Sequence, residues 1–201
     1  MGSLQLSNIE QLSNIKGKVK AVTLLTDQAY ISEVHGDEKI SLVEDELQQM
    51  GFPFHYSAIN SPFSFVPLKL RIASLYAIRN VLQLTDDQIQ EMGRLATRNS
   101  AFTKLGLRFL IDLKKMAKGI PRHWQRHYTT GSMDVGELHE DEKYLVVRLK
   151  DFPVPKLYCC YLAGYILGDV ELIGNGQNLR ISETKCMSYN DDYHEFKVMW
   201  D

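Results

Sequence analysis

An α+β fold is what this sequence predicts, and three observations predict it. Apolar residues recur at helical spacing through the first half of the chain. Strand-like alternation takes over after about residue 131. The composition, 201 residues with 44% hydrophobic and 24% charged content, is that of an ordinary globular protein long enough to bury a core. Helices first and a mainly antiparallel sheet later is the order of an α+β domain. The chain reads as a single domain, 1–201, with a helical lobe over about 1–130 packed on a strand-rich region over about 131–200.

Each element has its own signal. In DEKISLVEDELQQM, Ile40, Val43, Leu47 and Met50 share one helical face. Gly51, Pro53 and the stretch SPFSFVP break that pattern. LKLRIASLYAIRNVLQL then aligns Leu68, Ile72, Leu75, Ile78 and Leu82 on a stripe that belongs in a core. Thr85 and Gln88 have capping-box spacing and open a helix from Asp86 to about Arg98. After Asn99 and Ser100 another helix, Ala101 to Lys118, aligns Leu105, Phe109, Leu113 and Met116, and Gly119-Ile120-Pro121 is expected to end it. Pro121 to Tyr128 is read as a last turn or two with Pro121 at the first helical position. MDVGELHE and KYLVVRLKDF alternate like the strands of a hairpin. PKLYCCYLAGYILGD suits a buried helix opened by Pro155. VELIG, NLRISETKC and HEFKVMW read as three short strands.

Charge and composition exclude several functions. The formal net charge is −2 and the sequence pI about 6.3, so no basic excess advertises a nucleic acid. No apolar run is long enough to span a bilayer, and the polar start MGSLQLSNIEQLSNIKG lacks a secretory layout. Three cysteines, two of them adjacent, make a poor disulfide framework and suit a reducing, cytoplasmic setting. There is no Gly-rich phosphate loop, no Gly-x-Ser-x-Gly elbow and no paired-carboxylate arrangement.

The residues that carry chemistry are Cys159, Glu183, Cys186 and His194. Glu183-Thr184-Lys185-Cys186 ends one expected strand and His194 opens the next, so a strand end, a loop and a strand can converge. A helix bearing Cys159 would add a fourth donor. Cys160 stands about 100° from Cys159 on a helix and reads as core. His123 and His127, at i and i+4 in RHWQRHY, could share a metal but lack the glutamate of a metalloprotease motif. The alternative reading is a basic surface turn.

CCYLAGYILG followed by ISETKC resembles the 4-vinyl-reductase-like domain, which also serves as the effector-sensing part of phenol- and xylene-responsive activators. Cys159 stands five residues before Gly164-Tyr165, Gly168 follows, Glu183 and Cys186 keep a Glu-x-x-Cys spacing, and His194 lies eight after Cys186. The resemblance implies a structural zinc on these four residues, with histidine in place of the family's final cysteine. It covers about a quarter of the chain. It also implies a ligand-binding, sensory role rather than catalysis, in a cytoplasmic homodimer with a possible protein partner. The cavity is expected to accept a small apolar or aromatic molecule, with Phe63, Phe65, Tyr76, Phe102 and Phe109 as its wall. Two other functions come from the same resemblance: a dimeric adaptor like vesicle-tethering subunits, and a tetrapyrrole vinyl reductase. Haem-based gas sensors are related to the fold, but their Tyr-x-Ser-x-Arg propionate clamp is absent, leaving His123, His127 and His55 without context as axial ligands.

Overall fold

A computed structural model describes residues 12–99, 113–172 and 177–201. The expected α+β class holds: six helices and two antiparallel sheets lie among the described residues. The chain divides into two compact units, 1–85 and 86–201.

The first unit contains β1 (Lys18–Lys20), α1 (Val22–His35), α2 (Glu38–Gln49), β2 (Phe65–Pro67) and α3 (Leu68–Leu82), with β1 and β2 antiparallel. Its interior is the expected stripe of α3, Leu68, Ile72, Leu75 and Ile78, packed with Leu24, Ile31, Val43 and Leu47. One ion pair sits inside this apolar core. Arg71 meets Asp27 at 2.6 and 3.0 Å, and both side chains are fully buried. Burial pushes the Asp27 carboxyl up to about 7, with the Arg71 guanidinium opposing the shift. Gln83 ends α3 in a left-handed conformation, its N–H bonded to the Arg79 carbonyl.

The second unit contains α4 (Asp86–Asn99), α5 (Leu113–His127), β3 (Ser132–His139), β4 (Tyr144–Lys150), α6 (Lys156–Leu172), β5 (Arg180–Lys185) and β6 (Tyr193–Met199). The sheet order is β3-β4-β6-β5, antiparallel throughout. Strand β6 alternates cleanly, burying His194, Phe196 and Val198. Helices α4 and α6 touch backbone to backbone. A Cβ on Gly164 would overlap the Gln90 carbonyl oxygen and come within 2.9 Å of the Arg94 nitrogen. Gly93 and Gly168 face the partner helix as closely. Arg94 and Glu171 clamp the far end of this pair through hydrogen bonds of 3.0 and 2.7 Å.

Two boundaries differ from those expected. The helix that Gly119-Ile120-Pro121 was to end continues to His127, with Pro121 inside it. Trp124 holds the distal turns, buried and donating its Nε1–H toward the carbonyls of Thr130 (3.0 Å) and Gly131 (3.2 Å). The expected strand VELIG is not one where it is described: Val170 to Leu172 are the last turn of α6. Val170 is buried on that helix and Glu171 pairs with Arg94, so both residues favour helical continuation. Residues 101–112 of the helix expected from Ala101 lie outside the described residues.

Candidate metal centre

Four chain segments of the second unit deliver the candidate ligands. Pro155 starts α6, and the first turn and a half of that helix carries Cys159 inward. Strand β5 brings Glu183, where the β5–β6 register shifts between Glu183 and Lys185. Cys186 follows at the head of a short 3-10 turn, Met187–Tyr189. That turn is closed by Asp191, whose carboxylate accepts the Cys186 N–H at 2.8 Å, and by Asn190 at φ 69°. Ser188 donates to the Val154 carbonyl at 2.8 Å, tying the turn to the segment before α6. His194 lies on the buried face of β6 opposite Leu149 of β4.

One potential ligand atom from each of Cys159, Glu183, Cys186 and His194 lies within 4.8 Å of all the others. Cys159 Sγ is 3.8 Å from Cys186 Sγ and 3.4 Å from His194 Nδ1, which is 3.3 Å from a Glu183 oxygen. A tetrahedron with metal–sulfur bonds of about 2.3 Å and metal–nitrogen or metal–oxygen bonds of about 2.0 Å has edges of about 3.3 to 3.8 Å. Three of the six separations, 3.8, 3.4 and 3.3 Å, are of that order, and all six are within 4.8 Å.

Protonation is set by the surroundings. His194 Nε2 lies 2.9 Å from the Phe152 carbonyl, which can only accept, so that nitrogen carries the proton. In the neutral ring Nδ1 is then a bare lone pair, and the Met187 N–H points at it from 3.4 Å. Glu183 shares one oxygen with Lys156 Nζ and aims the other at the cluster. Burial raises the Glu183 carboxyl, but hydrogen bonds from Lys156 and Cys186, with the positive charge of Lys156, help hold the group below its usual range. Burial, with Glu183 and Cys186 beside it, pushes the Cys159 thiol up. A lone pair, a carboxylate and two thiols therefore converge where a cation would satisfy them. Lys156, Asp191 and the Phe152 carbonyl support the cluster and are not evident from sequence. Cys160 is only part-buried and is not among the four converging residues.

The other singled-out residues lie elsewhere. Phe63 and Phe65 are 53% and 43% exposed, so neither is buried as a cavity wall would be. Lys20 lies over both rings at 5.5 and 5.9 Å. Tyr76 is half-buried on α3, while Phe102 and Phe109 lie outside the described residues. His123 and His127 lie side by side on α5 with ring centroids 4.6 Å apart and planes tilted by 32°.

No family profile and no curated protein sequence matches this chain. Solved structures do. An H-NOX protein from S. oneidensis in the Fe(II)NO ligation state is 14% identical, with a TM-score of 0.66 over 90% of this chain and 99% of that one. A mutant Fe(II) unliganded H-NOX protein from K. algicida is 11% identical, with a TM-score of 0.63 over 90% and 96%. A structure described for modulation of haem redox potential through porphyrin distortion gives 13%, 0.58, 89% and 97%. The expected cofactor, a structural zinc, is corrected here: the metal of these neighbours is iron, and for the last of them haem iron.

Haem fit comes down to the histidines, all six of which are described. His194 has both ring nitrogens engaged. His55 is 66% exposed on Glu44, His139 is exposed beside Tyr144, and His123 and His127 lie against each other with tilted rings. Only His35, at the end of α1, keeps a buried Nε2 without a hydrogen-bond partner. What the comparisons establish is the fold, and this chain has the fold of H-NOX proteins.

Proposed function

We propose that this chain is a sensory ligand-binding domain of 4-vinyl-reductase-like type whose second unit is organised by one metal ion on Cys159, Glu183, Cys186 and His194. The observation that carries the reading is the convergence of the four donor atoms within 4.8 Å of one another, three of the separations being close to the edges of a coordination tetrahedron. Four protein ligands leave no open position, so the ion's work is to hold α6, β5 and β6 in register rather than to activate a substrate. The sensed ligand is a small apolar or aromatic molecule, and output passes through a homodimer or a protein partner. Among the described residues no helix is long and apolar enough to cross a membrane. Elemental analysis across the first transition series, on folded protein purified without added metal, tests the centre. One equivalent that is lost in Cys159→Ser is expected; folded protein carrying no metal would overturn the reading. Light scattering tests the dimer, and thermal shift against a panel of phenols tests the ligand class.

A second reading, haem-based gas sensing, is favoured by the Fe(II) states of the structures that share the fold. His35 would hold the iron through Nε2, the nitrogen that lacks a partner. A bound haem would supply the site for a diatomic ligand. Reconstitution with haemin reads this out as a Soret band that shifts in His35→Ala; no band removes the reading.

A further inference from the structure

Helix α5 carries a charge pattern that the metal centre does not use. Its fifteen residues hold five lysines and arginines and no acid, in a chain of net charge −2. Lys114, Lys118, Arg122 and Arg126 recur every fourth residue, which makes a row about 18 Å long at the helical rise. All four are exposed. Lys114 reaches Glu140 at 3.3 Å. Lys118, Arg122 and Arg126 have no ion-pair or hydrogen-bond partner among the described residues.

The other face of the helix fixes how this row is presented. Leu113, Met116 and Trp124 are buried, and Trp124 stacks on Tyr128 with centroids 3.9 Å apart. The apolar side is thus already covered and cannot enter a bilayer, as a membrane-surface helix requires. Nucleic acid fits poorly as well. The chain as a whole is slightly acidic, and four cations on one helix make too short a row to follow a phosphate backbone. Carboxylates spaced four apart on another helix have the same pitch as the row and the opposite charge.

We propose that this face of α5 docks an acidic helical segment of a partner protein, whose carboxylates meet Lys118, Arg122 and Arg126. The proposal does not depend on which ion or ligand the chain holds.

Fluorescence anisotropy of the full chain tests it, with a labelled 20-residue alanine-rich helical peptide bearing glutamate at every fourth position. Saturable binding is expected, weakening steeply with added salt. The variant K118E/R122E/R126E should weaken it at least tenfold, while Lys69→Glu, at an exposed position in the first unit, should leave it unchanged. If the triple variant fails to fold, K118Q/R122Q replaces it and should weaken binding at least threefold. Equal binding by the α5 variants, or equal weakening by Lys69→Glu, overturns the proposal. Tighter binding of duplex DNA or of phosphatidylserine vesicles than of the peptide overturns the choice of partner.

Discussion

Replacing Gly164 by alanine tests how the second unit is held together. The added methyl would overlap the Gln90 carbonyl oxygen, with the Gln90 carbon at 2.7 Å and the Arg94 nitrogen at 2.9 Å. The nearest contact would be 1.7 Å where ordinary contact begins at 3.4 Å, and every atom met is backbone, so α4 and α6 must part by well over ~1 Å or the helices distort. Overpacking a core costs about 1 to 3 kcal/mol, and the absence of a yielding side chain puts this case at about 3. Alanine returns about 1 kcal/mol through its better helix propensity, leaving a net loss of about 2 kcal/mol. For a unit of this size that lowers Tm by about 8 °C. Trp124 and Trp200, both buried in this unit, report its unfolding by fluorescence during thermal and urea melts. Gly119→Ala is the control: nothing lies within 4 Å of its added methyl, so helix propensity alone should stabilise by up to about 1 kcal/mol. Gly164→Ala melting with wild type, or below it by no more than Gly119→Ala, would refute the reasoning.

Further expectations bear on the centre and on the first unit. Cys186→Ser should remove bound metal and lower stability, whereas Cys160→Ser should keep the metal, both read by elemental analysis. Lys156→Gln, which leaves Glu183 without its cation, should weaken metal affinity about tenfold in a chelator competition. Asp27 has a folded pKa raised to about 7, so its contribution to stability is full below about 4 and is lost as pH rises through 7. Urea melts of the wild type should show that decline, and Asp27→Asn, which cannot ionise, should remove the slope. Tyr128→Phe should cost about 1 kcal/mol in a urea melt through loss of the 2.9 Å hydrogen bond to the Tyr158 hydroxyl.

The legible parts of the fold are those whose apolar pattern is local. Helix α3 keeps its expected stripe of Leu68, Ile72, Leu75 and Ile78 in the core, and the β3–β4 hairpin forms where the alternation starts. Helix α1 escapes because Asp27 occupies a core position that reads as polar. The Arg71 that makes this tolerable is 44 residues away. The end of α5 was misjudged because Pro121 is a strong local breaker, while Trp124 and its two carbonyl acceptors are a tertiary anchor. In the candidate site, the four converging residues were visible as residue types at a spacing. Their support was not, because the Phe152 carbonyl is backbone and Lys156 reads as an ordinary helix-opening lysine. Assigning zinc drew on the donor types together with the family resemblance, and the similar structures correct it with a different metal. Phe65 is exposed on the outer face of the two-stranded ribbon, and Phe63 lies just before that strand.

Strand β5 is an outer strand of its sheet, hydrogen-bonded to β6 on one side only among the described residues. The donors it faces, Cys159 and His194, are on elements packed into the interior, and Cys186 is pinned by its own turn. Glu183 is the one donor whose backbone can fray without disturbing a neighbour on both flanks. In a four-ligand centre this makes the carboxylate the hemilabile arm. Its release would open one coordination position while two sulfurs and a nitrogen keep the ion. Exchange of the metal would then be governed by the opening rate of an outer strand, and Lys156, which holds the free oxygen of that carboxylate, would act as its latch.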